Sequence, residues 1–330
     1  MKKKKVVVIG GGTGTYTVLS GLKKYPLSLS VIVSMMDSGG SNRVIRDEFG
    51  LLPTSDIRQC IVALASEKSS KLLRDLFTYR YHKGIGIEGM SFGNLFMAAL
   101  TDIFKSQEKA IEATTRFLDV QGEIIPVTYD NAHLVARYGN GKQVLGEHLI
   151  DEPDEENARH KIVEIEVFPP AKANLKARKA ILAADAIVIG PGDLYTSVVC
   201  NLLVEGIAQA IRKAKAKKIF VVNLMTRHGQ TDGYSAKDHL KILEKYLGKG
   251  TIDFCLVNKS KNIPSQVLKR YLQEDAYPVK DDFNDGRRPK IIRENFLGNK
   301  IFERVKGDKL KRSLIRHDPD KLAKAIISLL

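Results

Sequence analysis

The 330-residue sequence lacks any run of about 18 uninterrupted apolar residues, so a transmembrane helix is excluded. No secretory leader is expected either. Lys2 to Lys5 imitate its basic start, but the apolar run behind them, Val6 to Ile9, ends at glycines. That is short of the roughly 7–15 residues such a segment needs, and a cytoplasmic location is the expectation. Cysteine is scarce. Cys60, Cys200 and Cys255 each sit alone in an apolar stretch, with no CxxC and no clustered histidine. This excludes a disulfide framework, speaks against zinc and predicts buried reduced thiols. Internal repeats and low-complexity linkers are absent as well.

What is present is an ordinary globular composition, 43% hydrophobic and 28% charged, with one unusual number. Lys+Arg total 53 against 38 Asp+Glu, a formal charge of +15. The basic residues are dispersed, with no interleaved arginine and aromatic residues and no recognition-helix pattern. Specific nucleic-acid binding is therefore disfavoured, and an anionic small ligand fits better. Arg212, Lys213, Lys215, Lys217 and Lys218 fall where a helix hands over to a strand, and Lys2 to Lys5 read as a tail before the first strand. Most of these charges are solvated surface. Arg43, Arg46 and Arg316 are the ones expected to face an anion.

Hydrophobic periodicity gives alternating strands and helices. Lys5 to Ile9 reads as a buried strand, Thr13 to Lys24 as a helix and Leu29 to Ser34 as the next strand. Helical patterns follow at Asp56–Ser66, Ser69–Tyr79, Phe92–Phe104 and Gln107–Leu118, with Ser55 or Asp56 capping the first and Ser91 the third. Glu123 to Gly146 differs. Leu134–Tyr138 and Lys142–Gly146 flank Gly139-Asn140-Gly141 and predict a hairpin, to which Ile162–Phe168 adds a strand. The alternation resumes with a helix over Ala173–Ala184, a strand over Ala186–Ile189, a long helix over Asn201–Ala214 and a strand over Ile219–Val222. Next come a helix over Ala236–Leu247, a strand over Phe254–Val257, and helices over Ser265–Gln273 and Pro319–Leu330. The expected architecture is a three-layer α/β/α Rossmann-like domain covering residues 1–330. It has a mostly parallel sheet and a hairpin insertion at about 123–168.

Four polar loops follow strands, where open α/β sheets bind ligands. Gly10-Gly11-Gly12-Thr13-Gly14-Thr15 lets backbone N–H groups approach a phosphate at a helix N-terminus; without a ligand it would be a tight turn. Asp37-Ser38-Gly39-Gly40-Ser41 reads as a second anion loop, a metal-supporting acid or a solvated turn. The third is Gly190-Pro191-Gly192-Asp193-Leu194-Tyr195-Thr196-Ser197, in which Thr196 or Ser197 could instead cap a helix. The fourth is Asn223-Leu224-Met225-Thr226 with Gly229 to Tyr234, including Asp232. Asn94 is a further candidate, with a buried loop-tying role as the alternative. Strict GxGxxG fails at Thr15, no Walker A lysine follows, and neither GxSxG nor HExxH occurs. His228 has no spaced partner.

The ordered segments Gly10–Thr15, Asp37–Ser41 with Arg46–Pro53 and Asp56-Ile57-Arg58, Ser91–Leu95, Ile189–Ser197, Asn223–Thr226 with Thr231–Tyr234, and Arg316-His317-Asp318-Pro319 together resemble the YvcK/CofD family. Ile263-Pro264 and Pro278-Val279 match it too. The wording is closer to the gluconeogenesis-factor branch than to 2-phospho-L-lactate transferase. The resemblance implies a UDP-N-acetylglucosamine-like nucleotide-sugar ligand and a link to cell-wall synthesis and cell shape. It places Gly11, Gly12, Thr13 and Gly14 on the phosphates, and Asp37 at the acceptor or metal-side acid. Asn223 and Thr226 would line the crevice, and Arg316 would hold the ligand. Thr15, Ser41, Arg46, Asn94, Gly190, Gly192, Asp193, Thr196 and Asp232 complete the candidate set. Magnesium would enter only with transferase chemistry, and a homodimer is consistent with the family. Arg43 and Val44 stand where the family usually has Gly and Arg, and Met90 where it usually has His. These departures favour binding over catalysis. A nicotinamide-dependent dehydrogenase is a third reading, resting only on the opening strand, glycine loop and helix.

Overall fold

A computed structural model of the chain describes all residues except 1–2, 67–70, 261, 285, 287 and 303–312. Ten strands are formed among the described residues: β1 (Lys4–Gly10), β2 (Leu27–Val33), β3 (Glu123–Pro126), β4 (His133–Tyr138), β5 (Gln143–Leu145), β6 (Ile162–Phe168), β7 (Ala186–Ile189), β8 (Lys217–Val221), β9 (Phe254–Asn258) and β10 (Lys290–Glu294). Seven of them make a parallel sheet in the order β10-β9-β8-β7-β1-β2-β3, and β5-β4-β6 make a small antiparallel sheet.

Side-chain alternation along β1 builds the layers. Val6 and Val8 point to one face. There they pack with Val18, Leu19 and Leu22 of helix Gly12–Leu22, Ile57 and Ile61 of helix Ser55–Leu64, and Leu322 and Ile326 of helix Pro319–Ser328. Val7 and Ile9 point the other way, towards Ala177 and Ile181 of helix Leu175–Ala183, Ile211 of helix Ile207–Lys213 and Leu243 of helix Ala236–Leu247. Leu134, Ala136, Tyr138 and Ile165 of the small sheet belong to this second cluster, and the Tyr246 hydroxyl accepts the Ile165 N–H at 3.1 Å. Burying each large aliphatic side chain contributes about 1.5–3 kcal/mol. Truncating Leu19, which is fully buried, would cost about 2–5 kcal/mol. The three cysteines are free and buried.

The three-layer expectation matches, but several elements differ from the sequence reading. Glu123–Pro126 joins the main sheet beside β2, so the antiparallel excursion begins at β4. β10 escapes notice because its sequence, flanked by Lys290, Arg293 and Glu294, is only half-buried. Gly39-Gly40 open a helix, Gly40–Phe49, rather than a simple turn. The long helix over Asn201–Ala214 is broken. A π-helical segment, Leu194–Val199, precedes Cys200–Leu202, and a new helix starts at Ile207 after Gly206, whose φ of +95° suits glycine. Neither Ser55 nor Asp56 is the cap, since Thr54 holds that position, and Thr196 and Ser197 lie inside the π-helical turn. Ser91 does cap its helix, accepting the Asn94 N–H at 3.3 Å. Lys4 and Lys5 are part of β1 rather than a tail before it, and Lys2 lies outside the described residues.

Candidate functional site

Strand order reverses beside β1. The chain runs outward through β2 and β3, then returns to β7 on the other side. The loops leaving β1 and β7 therefore meet at the carboxyl edge. They interlock closely: a Cβ on Gly14 would lie 2.1 Å from the Pro191 carbonyl oxygen. Glycine is demanded there by contact with a neighbouring loop, independently of any ligand. The Gly12 N–H donates to Asp56 Oδ1 at 3.0 Å, so a carboxylate from helix Ser55–Leu64 occupies the mouth of the glycine loop.

Two lobes of one crevice open here. The smaller, about 190 Å³, is lined by Gly11, Gly12, Thr13, Gly14, Gly192, Asp193, Asn223, Thr226, Arg227, Tyr271, Arg316 and His317, among others. The larger, about 1390 Å³, shares Gly12, Thr13, Asp151, Glu152, Asp193, Ser197 and Arg227 with it and extends over Asp37, Asp56, Glu147 and Thr196. The walls of the larger lobe carry the carboxylates of Asp37, Asp56, Glu88, Glu147, Asp151, Glu152 and Asp193 against the guanidiniums of Arg58, Arg80 and Arg227.

Crowded acids shift one another. Burial, with Asp37 and Asp151 nearby, pushes the Glu147 carboxyl well above its usual range. Burial and Asp193 push the Asp151 carboxyl up to about 7. Arg227 and Gln230 oppose this, donating to Asp151 at 2.8 and 3.0 Å. The π-helical turn after Asp193 has its Val198 N–H donating to the Asp193 carbonyl, and such insertions recur at functional sites.

The sequence-selected residues divide by place. Gly11, Gly12, Thr13, Gly14, Asp37, Gly192, Asp193, Thr196, Asn223, Thr226 and Arg316 line the crevice. Thr15 is fully buried, with its hydroxyl turned to Gly10. Arg46 is directed away, donating to the Ala132 carbonyl and Asn131. Asn94 is buried, donating to Ser55 Oγ at 3.0 Å and accepting from Arg58 Nε at 3.1 Å; it ties down the wall. Gly190 lies behind the loop. Asp232 accepts from the His228 ring and the Gly229 N–H and holds its own turn. Ser41 lies in helix Gly40–Phe49, and its side chain is outside the described residues. Arg43 is exposed and pairs with Asp47, whereas Val44 and Met90 line the larger lobe.

Sequence reasoning missed Asp56, Glu147, Asp151, Arg227 and His317 as crevice groups. Asp56 and His317 stand in the motif segments. Glu147 and Asp151 come from a short helix after the hairpin and carry no local signature.

A doubly wound parallel sheet with its crevice at the reversal of strand order defines a Rossmann-like α/β protein. Residues 6–297 match the family model described as 2-phospho-L-lactate transferase CofD. A relative in Aquifex aeolicus is 42% identical over 100% of this chain and 98% of its own. Proteins named gluconeogenesis factor in Halalkalibacterium halodurans and Bacillus subtilis are 40% and 36% identical over 99% and 100% of this chain, covering 97% and 99% of theirs. A crystal structure of a Bacillus halodurans protein superposes with a TM-score of 0.88 at 36% identity, over 99% of this chain and 100% of that one. The chain belongs to the YvcK/CofD family. No helix among the described residues is long and apolar enough to cross a membrane.

Proposed function

We propose that the chain binds a nucleotide-sugar of the UDP-N-acetylglucosamine kind in this crevice. It acts as a cytoplasmic, non-catalytic regulator linked to cell-wall synthesis and cell shape. The observation that carries this reading is the division of the crevice. Gly11, Gly14, Gly192, Asn223 and Arg316 line the smaller lobe alone, while Asp37, Asp56, Glu88 and Glu147 line only the larger; Asp151, Glu152 and Asp193 stand where the two meet, and Glu274 lines the smaller. Phosphate is favoured by backbone N–H groups and arginine, and repelled by carboxylates. Carboxylates instead accept hydrogen bonds from sugar hydroxyls. The diphosphate therefore lies across the glycine loop, and the hydroxyl-rich group enters the larger lobe. Val44 and Met90 line that lobe with apolar side chains where the family usually has Arg and His, which supports binding without turnover.

The CofD family match favours a second reading, a phospholactyl- or phosphoryl-type transferase using Asp37 and magnesium. Asp37 is engaged locally, accepting the Gly39 N–H at 2.9 Å and the Asn42 amide. Among the described residues no three His, Cys, Asp or Glu side chains converge to hold a metal ion.

A thermal-shift panel tests both readings. A ligand at about 100 times its Kd stabilises the folded state by about 2.7 kcal/mol. UDP-sugars should raise the melting temperature with no product formed. Stabilisation by guanine nucleotide and deazaflavin, with release of a nucleotide product, would establish the transferase instead. Stabilisation by NAD(P) alone would overturn both.

A further inference from the structure

His317 Nε2, on a residue that lines the smaller lobe, is a buried polar atom with no hydrogen-bond partner among the described residues. His317 is 6% exposed, its imidazole bonds the Val222 carbonyl, and its Nε2 makes no hydrogen bond. The bond to Val222 must therefore run through Nδ1, which carries the hydrogen. Nε2 is left with its lone pair, so it is a pure acceptor while the ring is neutral. Burial keeps the ring neutral by pulling its pKa down to about 4. A buried acceptor left unpaired costs free energy, and native sites that keep one generally satisfy it with a ligand or water.

Its surroundings narrow what the partner is. Val222 ends β8 at the carboxyl edge of the sheet, so His317 stands at the same edge as the glycine loop. Asn223 follows, with one amide N–H donating to the Gly192 carbonyl at 2.8 Å, and it lines the lobe beside His317. Leu224, Met225 and Ile315 add apolar wall. The Tyr271 hydroxyl accepts the Leu314 and Ile315 N–H groups at 2.8 and 3.2 Å, and this anchors the segment that carries His317. Arg227 and Arg316 line the same lobe, and beside its apolar wall the unpartnered Nε2 calls for a ligand group that offers an N–H.

We propose that His317 is a specificity-determining residue, whose Nε2 accepts the imide N–H of a uracil-type base. This rests on the nucleotide reading above. A cytosine ring presents a lone pair at the equivalent nitrogen and would face the histidine acceptor to acceptor. Selectivity follows from leaving buried polar groups unpaired with the wrong ligand.

The test is calorimetric titration of the full chain with UDP, CDP and N3-methyl-UDP. For the wild type, UDP should bind about tenfold or more tightly than either of the others. His317→Phe should weaken UDP about tenfold and make the chain indifferent to N3-methylation. An equal methylation penalty in wild type and His317→Phe would overturn the assignment while leaving nucleotide binding intact. Absence of any UDP or UDP-sugar binding by the wild type would remove the nucleotide reading, and this assignment with it. Should His317→Phe fail to fold, His317→Leu gives the same decision. It offers no acceptor, so the UDP:CDP preference should collapse towards one. An unchanged preference would refute the role.

Discussion

Gly14→Ala separates what the glycine loop does for the fold from what it does for a ligand. The new Cβ would sit 2.1 Å from the Pro191 oxygen, 2.6 Å from its carbonyl carbon and 3.1 Å from the Gly192 nitrogen. All three are backbone atoms, so no side chain can rotate away and the loops must part by more than 1 Å. Overpacking of this kind costs about 1–3 kcal/mol, partly offset by the roughly 1 kcal/mol that alanine gains over glycine in a helix. With three backbone contacts this short the cost lies at the upper end of that range, and a net loss of about 2 kcal/mol should lower the melting temperature by a few degrees. Gly21→Ala is the control. It lies in the same helix, and its Cβ would meet the Pro319 oxygen at 2.0 Å, but it faces the C-terminal helix and not the crevice. Scanning calorimetry should find the two variants similarly destabilised. Titration with UDP-sugar should find affinity lost only in Gly14→Ala, by about tenfold or more. Equal affinity in both variants, or a Gly14→Ala protein as stable as the wild type, would refute the interlocked-loop account.

Asp56→Asn keeps an acceptor for the Gly12 N–H but removes a negative charge at the loop mouth, so UDP-sugar should bind roughly tenfold more tightly; weaker binding in titration would count against a phosphate there. Asn223→Ala should weaken the same ligand about tenfold while shifting the melting temperature little, and an unchanged Kd would remove Asn223 from the site. Asp151 holds its proton up to about pH 7 when folded, against about 3.9 unfolded. The folded state then binds the extra proton between those values, so its contribution is full below about pH 4 and is lost as pH rises through 7, a matter of a few kcal/mol. Urea midpoints at pH 5 and pH 8 should differ less in Asp151→Asn than in the wild type; an identical difference in the two proteins would show that Asp151 does not carry it.

How legible the molecule was depended on whether a signal was local. β1, β7 and β9 are continuous apolar runs, and helix Ala236–Leu247 has a regular apolar face and a Ser235–Asp238 capping box. Those elements were readable because period and burial agree. β10 and helix Gly40–Phe49 were not, because a half-buried edge strand and a charged helix do not show a clean period. The glycine loops were readable as loops, yet Gly14 owes its identity to a contact with a segment nearly 180 residues away, which no local pattern reveals. Asn94 and Arg46 look like ligand residues by composition. The fold spends both on internal hydrogen bonds, since a buried amide or guanidinium must find partners wherever it lies. The acid-lined lobe was not legible as a unit, because its members come from five separate segments and, Asp37 and Asp193 apart, acquire meaning only when brought together.

That lobe changes what the charge of +15 means. Lys4, Lys5, Lys217 and Lys290 begin strands at the amino edge of the sheet, on the side opposite the crevice. Net positive charge at long range draws anions towards the molecule, but screening over about 8 Å at physiological ionic strength leaves docking to the nearest groups. Those nearest groups are mixed: the glycine-loop backbone and Arg316 on one side, with Asp151, Glu152, Asp193 and Glu274 among them, and a larger set of carboxylates on the other. A bare polyanion filling both lobes would meet repulsion in the larger. A ligand with its charge at one end and hydroxyls at the other satisfies both, and it has one orientation in which to do so. On the proposed nucleotide-sugar reading, the basic exterior accounts for attraction and the divided crevice for selection. Altering a surface lysine should slow association without changing which ligand is preferred, whereas altering Asp56 or Arg316 should change the preference itself.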